Sequence, residues 1–259
     1  MEVDFSKFNW SRLMDRFFDG EVIGRWIDEV PRALWQTIQL ATIAEIFGIA
    51  LGLFIALGAI HRRRTVRVIF RSWVELWRGT PLLVQLLFVH FSFPLVGIIF
   101  TPFVSGAFVL SLNSAAYVAE IFRAGIQSLE RGQIEAARSL GMSYRRMLRV
   151  VVLPQAFRRV VPPLTNELVA LVKDSSLVAV IGVVELLGVA RLAFGAEYNS
   201  SMYPVVALLF LSITLPLTFL ARALERRLSR RGARSWVDDD RQLLVSLSSV
   251  SHGHSGVPG

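Results

Sequence analysis

The chain has 259 residues, 53% of them hydrophobic, and a mean hydropathy of +0.51, so much of it belongs in lipid. It contains no cysteine, which excludes disulfides, thiolate metal sites and a cysteine nucleophile. The net charge of +8 rests almost wholly on arginine, because Lys7 and Lys173 are the two lysines among 28 basic side chains. Lys7 is followed by Phe8 and Lys173 by Asp174, so neither completes the G-x-x-x-x-G-K-[ST] phosphate loop. Any ATP used must therefore be bound by a partner.

The opening "MEVDFSKFNW" carries acidic residues and no apolar run, unlike a cleaved signal peptide. Residues 1–32 mix aromatic and charged side chains. Phe5, Phe8, Leu13 and Phe17 can share one helical face beside Trp10, which suits either a helix at the lipid interface or a solvated one. A first membrane span is expected from Leu34 to Ile60, ending at "HRRR". A second is expected from "GTPLLVQLLF" to Phe100, with Thr80 as its cap and Pro81 at its first helical position. After a short "TPF" turn, a third covers Val104 to Ala124. The stretch "GQIEAARSLGMSYRRMLRVVVLP" from Gly132 to Pro154 is too polar to span, and "LP" closes it. A fourth, notably polar span is expected from Pro163 to Ile181, then a loop over 182–202 and a fifth span from Tyr203 to Ala223. The end, "SVSHGHSGVPG", has no apolar periodicity and reads as disordered. Its two histidines lack the further ligands that a metal site needs.

Five spans put the termini on opposite sides of the membrane. The three arginine-rich segments then fall on one side: after span one, between spans three and four, and after span five. Cytoplasmic loops collect basic residues, so the expected topology has the N-terminus outside and the C-terminus in the cytoplasm. The basic charge thus reads as topology, and nucleic acid is not an expected partner.

This topology leaves the 132–154 stretch in the cytoplasm. Gln133 to Leu140 is helix-prone, Glu135 favours the helix dipole in its first turn, and Gly141 stands where a left-handed cap ends a helix. Arg145, Arg146 and Arg149 would meet anionic lipid if the segment rested on headgroups. That reading leaves the Glu-Ala-Ala run unexplained. Small residues at 136 and 137 allow close packing on another surface, so a docking helix fits better.

"EAARSLGMSYRRMLRVVVLP" resembles the EAA motif of the membrane subunits of bacterial ABC importers, on Glu135, Ala136, Ala137, Gly141, Leu153 and Pro154. Val151 stands where isoleucine is usual. The resemblance extends over residues 33–225. "ELWRGTPLLVQLLF", "NSAAYVAEIFRAGIQSLERGQIEAA" and "NELVALVKDSSLVAVIGVVEL" are similar to polar amino acid permeases of the histidine/glutamine/arginine type, with Ala124 and Ser175 as conservative departures. The resemblance implies an all-α integral membrane protein of the type I ABC importer permease fold, with about five transmembrane helices. It implies a coupling helix at about 131–145 whose Glu135, Ala136, Ala137 and Gly141 engage an ATPase. It also implies ABC ATPase subunits that hold ATP and Mg, a second permease copy or a related permease, an external solute-binding protein, and a place in the cytoplasmic (inner) membrane. The chain itself is expected to bind no cofactor or metal and to be a transport subunit rather than an enzyme. Residues 1–32 form an external segment in this reading, 33–225 the membrane domain, and 226–259 a disordered cytoplasmic tail.

Ionisable residues at bilayer depth usually face a cavity or a partner. Asn113, Tyr117 and Glu120 are spaced by four and three, so they share a helical face. Asn166 aligns with Lys173, and Glu167 with Asp174, each pair seven apart. The candidate substrate residues are Asn113, Tyr117, Glu120, Asn166, Lys173 and Asp174, with Lys173 and Asn113 suited to a carboxylate and Glu120 and Asp174 to an ammonium or a cationic side chain. Glu167 is the weaker candidate, near the cytoplasmic end. The structural alternative is a Lys173–Asp174 or Lys173–Glu120 pair that only holds helices together. An ATP-independent channel or ion-coupled carrier leaves the docking helix without a role. A membrane enzyme lacks a nucleophile elbow or a histidine cluster, and a permease for a peptide or osmolyte fits residues 72–85 and 113–133 less well.

Overall fold

The structure, a computed structural model, describes residues 10–128 and 131–251, and its described residues are helical throughout apart from turns. Two short helices, α1 (Trp10–Phe17) and α2 (Gly20–Trp26), precede the long α3 (Val30–Ala59). Then come α4 (Arg64–Gly79), α5 (Leu82–Ser92) and α6 (Pro102–Gln127). Two small helices follow, α7 (Arg131–Ser139) and α8 (Tyr144–Met147), with a π turn over Leu148–Val152. The chain ends with α9 (Leu153–Asp174), α10 (Leu186–Glu197) and α11 (Met202–Ser251). Among the described residues, four helical stretches are long and apolar enough to cross a membrane, or five if the bent α4–α5 pair counts as one span.

The centre of the bundle is the seam between α3 and α6. Ala44, Gly48, Gly52 and Ala56 recur every fourth residue along one face of α3, and all are buried there. Such a stripe lets two backbones approach, which substitutes in lipid for the hydrophobic drive that water supplies elsewhere. The approach is close. A Cβ on Gly52 would stand 2.7 Å from Val118 and 2.9 Å from the Ala115 carbonyl oxygen, while one on Gly48 would meet the Ser114 hydroxyl at 2.4 Å. On the other side of the seam, Leu40, Ala41, Leu86, Val109, Leu110 and Leu171 join α3, α5, α6 and α9 in one apolar core.

The second span differs from the expectation. Thr80 does not cap a helix running from 81 to 100. It ends α4 in an extended conformation, and α5 leaves at 98° to α4. Proline disfavours helical backbone in the residue before it and brings no N–H of its own, so "GTP" breaks the run instead of starting it. The segment 64–79, read as a basic loop, is amphipathic helix: Phe70, Trp73, Val74 and Trp77 turn inward, and Arg71 Nε donates to the Ala59 carbonyl at the end of α3, 3.2 Å away.

Two further boundaries move. Leu153-Pro154 opens α9 rather than closing the preceding stretch, because proline is tolerated in the first turn of a helix. Residues 226–251, expected to lack order, continue α11 as helix. Phe5, Phe8, His252 and His254 lie outside the described residues. At the N-terminal end, Asp19 caps α2 and its N–H donates to the Ser201 hydroxyl, while the indole of Trp26 donates to Glu197 at 2.9 Å. These bonds hold α2 on the turn between α10 and α11.

The seam generates a test. Gly52→Ala should lower the melting temperature of the detergent-solubilised protein by an overpacking cost of about 1–3 kcal/mol. Gly79→Ala, where a Cβ meets nothing within 4 Å, should leave it unchanged. Equal melting of the two variants would contradict the close approach of α3 and α6.

Candidate functional site

Where the α4–α5 break meets α6 and α9, the helices line an open cavity of about 520 Å³. Its polar wall is made by Arg78 and Thr80 from the break, Asn113 and Tyr117 from α6, and Glu167 and Asp174 from α9. The guanidinium of Arg78 lies over the Tyr117 ring, 5.2 Å from its centroid, a cation–π contact that steadies the charge at the cavity edge. Glu167 is within electrostatic reach of Asp174, of Arg78 and of Glu45 on α3. One cation and two carboxylates therefore share this space with a carboxamide and two hydroxyls.

The wall is built on Gln85. Its two Nε2 hydrogens are shared among the Trp77 carbonyl at 2.8 Å, the Thr80 carbonyl at 3.1 Å and the Thr80 hydroxyl at 2.7 Å, acceptors left at the end of α4. Its Oε1 accepts from Asn113 Nδ2 at 3.0 Å. The Thr80 hydroxyl itself donates to the Leu76 carbonyl at 2.9 Å. The break, the fifth helix and the cavity wall thus share one side-chain amide.

The structure brings together three of the six candidates read from the sequence: Asn113, Tyr117 and Asp174. Glu120 lies one turn beyond Tyr117, where Arg123 takes both its oxygens, the Nε–H at 2.8 Å. Arg123 also donates to Gln127 at 2.5 Å. Glu120 is therefore engaged within its own helix. Asn166 and Lys173 are exposed on α9 and are not among the cavity's lining residues, whereas Glu167, the weaker candidate, lines it. Neighbouring residues on a helix diverge by about 100°, so the 166/173 and 167/174 pairs cannot both face inward. Packing of α9 on α6 selects the second. Arg78, Thr80 and Gln85 were missed as site residues. Their signal was a lone glutamine in the apolar run "PLLVQLLF" beside a proline break.

Behind this wall, Glu45 is 8% exposed and its Oε2 has no hydrogen-bond partner. The Ser114 hydroxyl, fully buried on the facing helix, is likewise unpartnered. Among the described residues, no group of three or more His, Cys, Asp or Glu is placed to hold a metal ion.

The docking-helix residues lie apart from the cavity. Gly141 has φ +72°, its N–H donates to the Arg138 carbonyl at 3.0 Å, and the Met142 N–H reaches back to the Ala137 carbonyl at 3.2 Å. This paired closure needs a left-handed residue and explains the glycine. Ala137 is buried, while Glu135, Ala136 and Leu140 face outward, Leu140 with 81% exposure. The two small residues therefore have different jobs: Ala137 seats α7 on its own protein, and Ala136 leaves the outer face low beside Leu140.

A membrane bundle with a polar cavity inside and a capped, outward-facing helix outside is the anatomy of a transport permease. Residues 48–230 match the binding-protein-dependent transport system inner membrane component family, and the chain belongs to it. It is 37% identical over 195 residues to a putative glutamine transport system permease protein of Rickettsia bellii, covering 74% of this chain and 89% of that one. It is 40% identical over 207 residues to an arginine transport system permease protein of Bacillus subtilis, covering 78% and 94%. A crystal structure of an amino acid ABC transporter with histidines superposes with a TM-score of 0.74 at 36% identity, over 88% of this chain and 100% of that one. The inward-facing MetNI methionine ABC transporter shares the fold at 20% identity, with a TM-score of 0.63 over 78% and 97%. The fold is that of the type I ABC importer permeases, and the chain is a transport subunit rather than an enzyme.

Proposed function

We propose that this chain conducts a polar or charged amino acid into the cytoplasm as one permease subunit of an ATP-driven importer, coupled to a separate ATPase through α7. The observation that carries this reading is the cavity between the α4–α5 break, α6 and α9. An amino acid offers a carboxylate and an ammonium on one carbon, and the cavity offers Arg78 for the first and Glu167 with Asp174 for the second. Charged groups held in a site of low dielectric attract their complements more strongly than they do in water. The names of the relatives, permeases for glutamine and for arginine, point to the same class of substrate.

The coupling proposal rests on connectivity. From α7 the chain passes through α8 and the π turn directly into α9, which carries both cavity carboxylates. Displacement of α7 by an ATPase would move α9 as a rigid body and open or close the cavity. ATP and Mg belong to that ATPase. A second permease, identical or related, completes the pathway, and Asn166 and Lys173 on the outward side of α9 are open to it. A solute-binding protein delivers substrate from outside. The arginine-rich segments support an external N-terminus, a cytoplasmic α7 and residence in the bacterial inner membrane.

Purification of the chain from its native membranes should bring with it a subunit bearing a phosphate loop. Leu140→Asp should release that subunit while leaving the permease folded. A stable complex without any ATPase would replace this reading with an ion-coupled carrier. Gly141→Val forces a β-branched residue to positive φ, at a cost of roughly 1–2 kcal/mol to the end of α7, and should lower uptake per ATP hydrolysed. In direct binding to the intact complex, Arg78→Met should weaken an amino acid by about tenfold or more, as expected for loss of a charged hydrogen bond. Lys173→Met should change it far less. The reverse order would move the site to the other side of α9.

A further inference from the structure

We propose that Gln85 is a positioning residue that fixes how Asn113 faces the cavity, and thereby sets which end of the substrate meets α6. The inference rests on the cavity being the substrate site. It begins with a constraint on the Gln85 amide. Its Nε2 faces two backbone carbonyl oxygens, those of Trp77 and Thr80. A carbonyl accepts hydrogen bonds and never donates one. The reversed amide would set its own oxygen against both and forfeit the bonds that close the end of α4. The nitrogen must therefore lie toward the break and Oε1 toward α6.

That choice propagates. An oxygen facing α6 requires a donor, so Asn113 must present Nδ2 to it, as the 3.0 Å contact records. The Asn113 carboxamide then has its nitrogen held at α5 and its oxygen left as the free acceptor. Asn113 is 7% exposed and lines the cavity. Its Oδ1 receives no hydrogen bond from a described residue, yet it is not among the polar atoms sealed without a partner. This acceptor is open to the cavity and free to take a donor from whatever enters it. Glu167 and Asp174 on α9 are acceptors too.

The α6–α9 side of the cavity is therefore acceptor-rich, and the substrate's ammonium belongs there, with the carboxylate toward Arg78. Asn113 recognises the ammonium and not the carboxylate for which its residue type alone suited it. Gln85 itself is absent from the cavity lining. It acts through Asn113.

The test uses the permease with its ATPase in lipid nanodiscs, without a binding protein, and measures the affinity for L-glutamine and L-arginine against the des-amino analogue of each. The wild type should prefer the amino acid by about tenfold or more, the scale of a hydrogen bond to a charged donor. Gln85→Met, similar in size but without either bond, should remove most of that preference. Asn113→Ala should lose as much preference as Gln85→Met, and the double variant no more, because residues acting through one contact are not additive. The inference is overturned if Gln85→Met retains the wild-type preference, or if the double variant loses clearly more than Asn113→Ala alone, since Gln85 would then act by a route other than Asn113. If Gln85→Met does not assemble, Asn113→Ala decides: an unchanged preference there overturns the inference. A wild type that binds both members of a pair equally overturns it while leaving the cavity as the site. Failure to bind any of the probes removes the cavity reading itself, and this inference with it.

Discussion

A broken helix frees carbonyl oxygens, and wherever water cannot reach them each needs a new partner within the protein. In this permease the break between α4 and α5 meets that demand largely through one side chain, Gln85, whose amide nitrogen serves two carbonyls and a hydroxyl. Proline makes the 98° turn, Arg78 stands beside it at the cavity edge, and the amide that bonds the end of α4 also contacts Asn113. A polar cavity in an apolar bundle is thus a consequence of the same rule that makes membrane proteins helical. Irregular backbone is tolerated where it lines a cavity, and its repair brings polar groups to that place.

The rest of the bundle supplies a rigid wall. Small residues along α3 let α6 approach until their backbones nearly touch, and this leaves little room for either helix to shift. By contrast, α9 is joined through a π turn and two short helices to α7, which carries an exposed leucine away from the bundle. One side of the cavity is anchored in the seam, and the other belongs to the helix that α7, α8 and the π turn lead into. A site whose opposite walls differ in this way suits a protein that must hold a solute and then release it.

Much of this was legible in local chemistry. Apolar length gives the number of spans, and arginine placement gives the expected sidedness. Gly141 marks the end of α7 because a helix terminus is decided within a few residues: a left-handed cap needs glycine wherever the helix lies. The proline break was visible as well, but it was read as the start of a helix. "GTP" serves both purposes, and the hydrophobic pattern of 64–79 that reveals α4 was masked by its arginines.

The sequence by itself determined that this is a multi-span membrane protein with a glycine-capped polar helix between its apolar segments, since these properties follow from composition and from contacts a few residues apart; its motifs carried the resemblance to importer permeases. Only the tertiary structure decided which polar residues share a site. Asn166 and Lys173 carry the same helical spacing as Glu167 and Asp174, and rotation of α9 about its axis separates exposed from enclosed. Glu120 has the spacing to join Asn113 and Tyr117, but Arg123, three residues on, claims it first. Arg78 comes to the cavity through the α4–α5 bend, and Gln85, outside the lining, meets Asn113 from 28 residues away. Helical periodicity fixes which residues point together, whereas the direction in which they point is set by what the helix packs against.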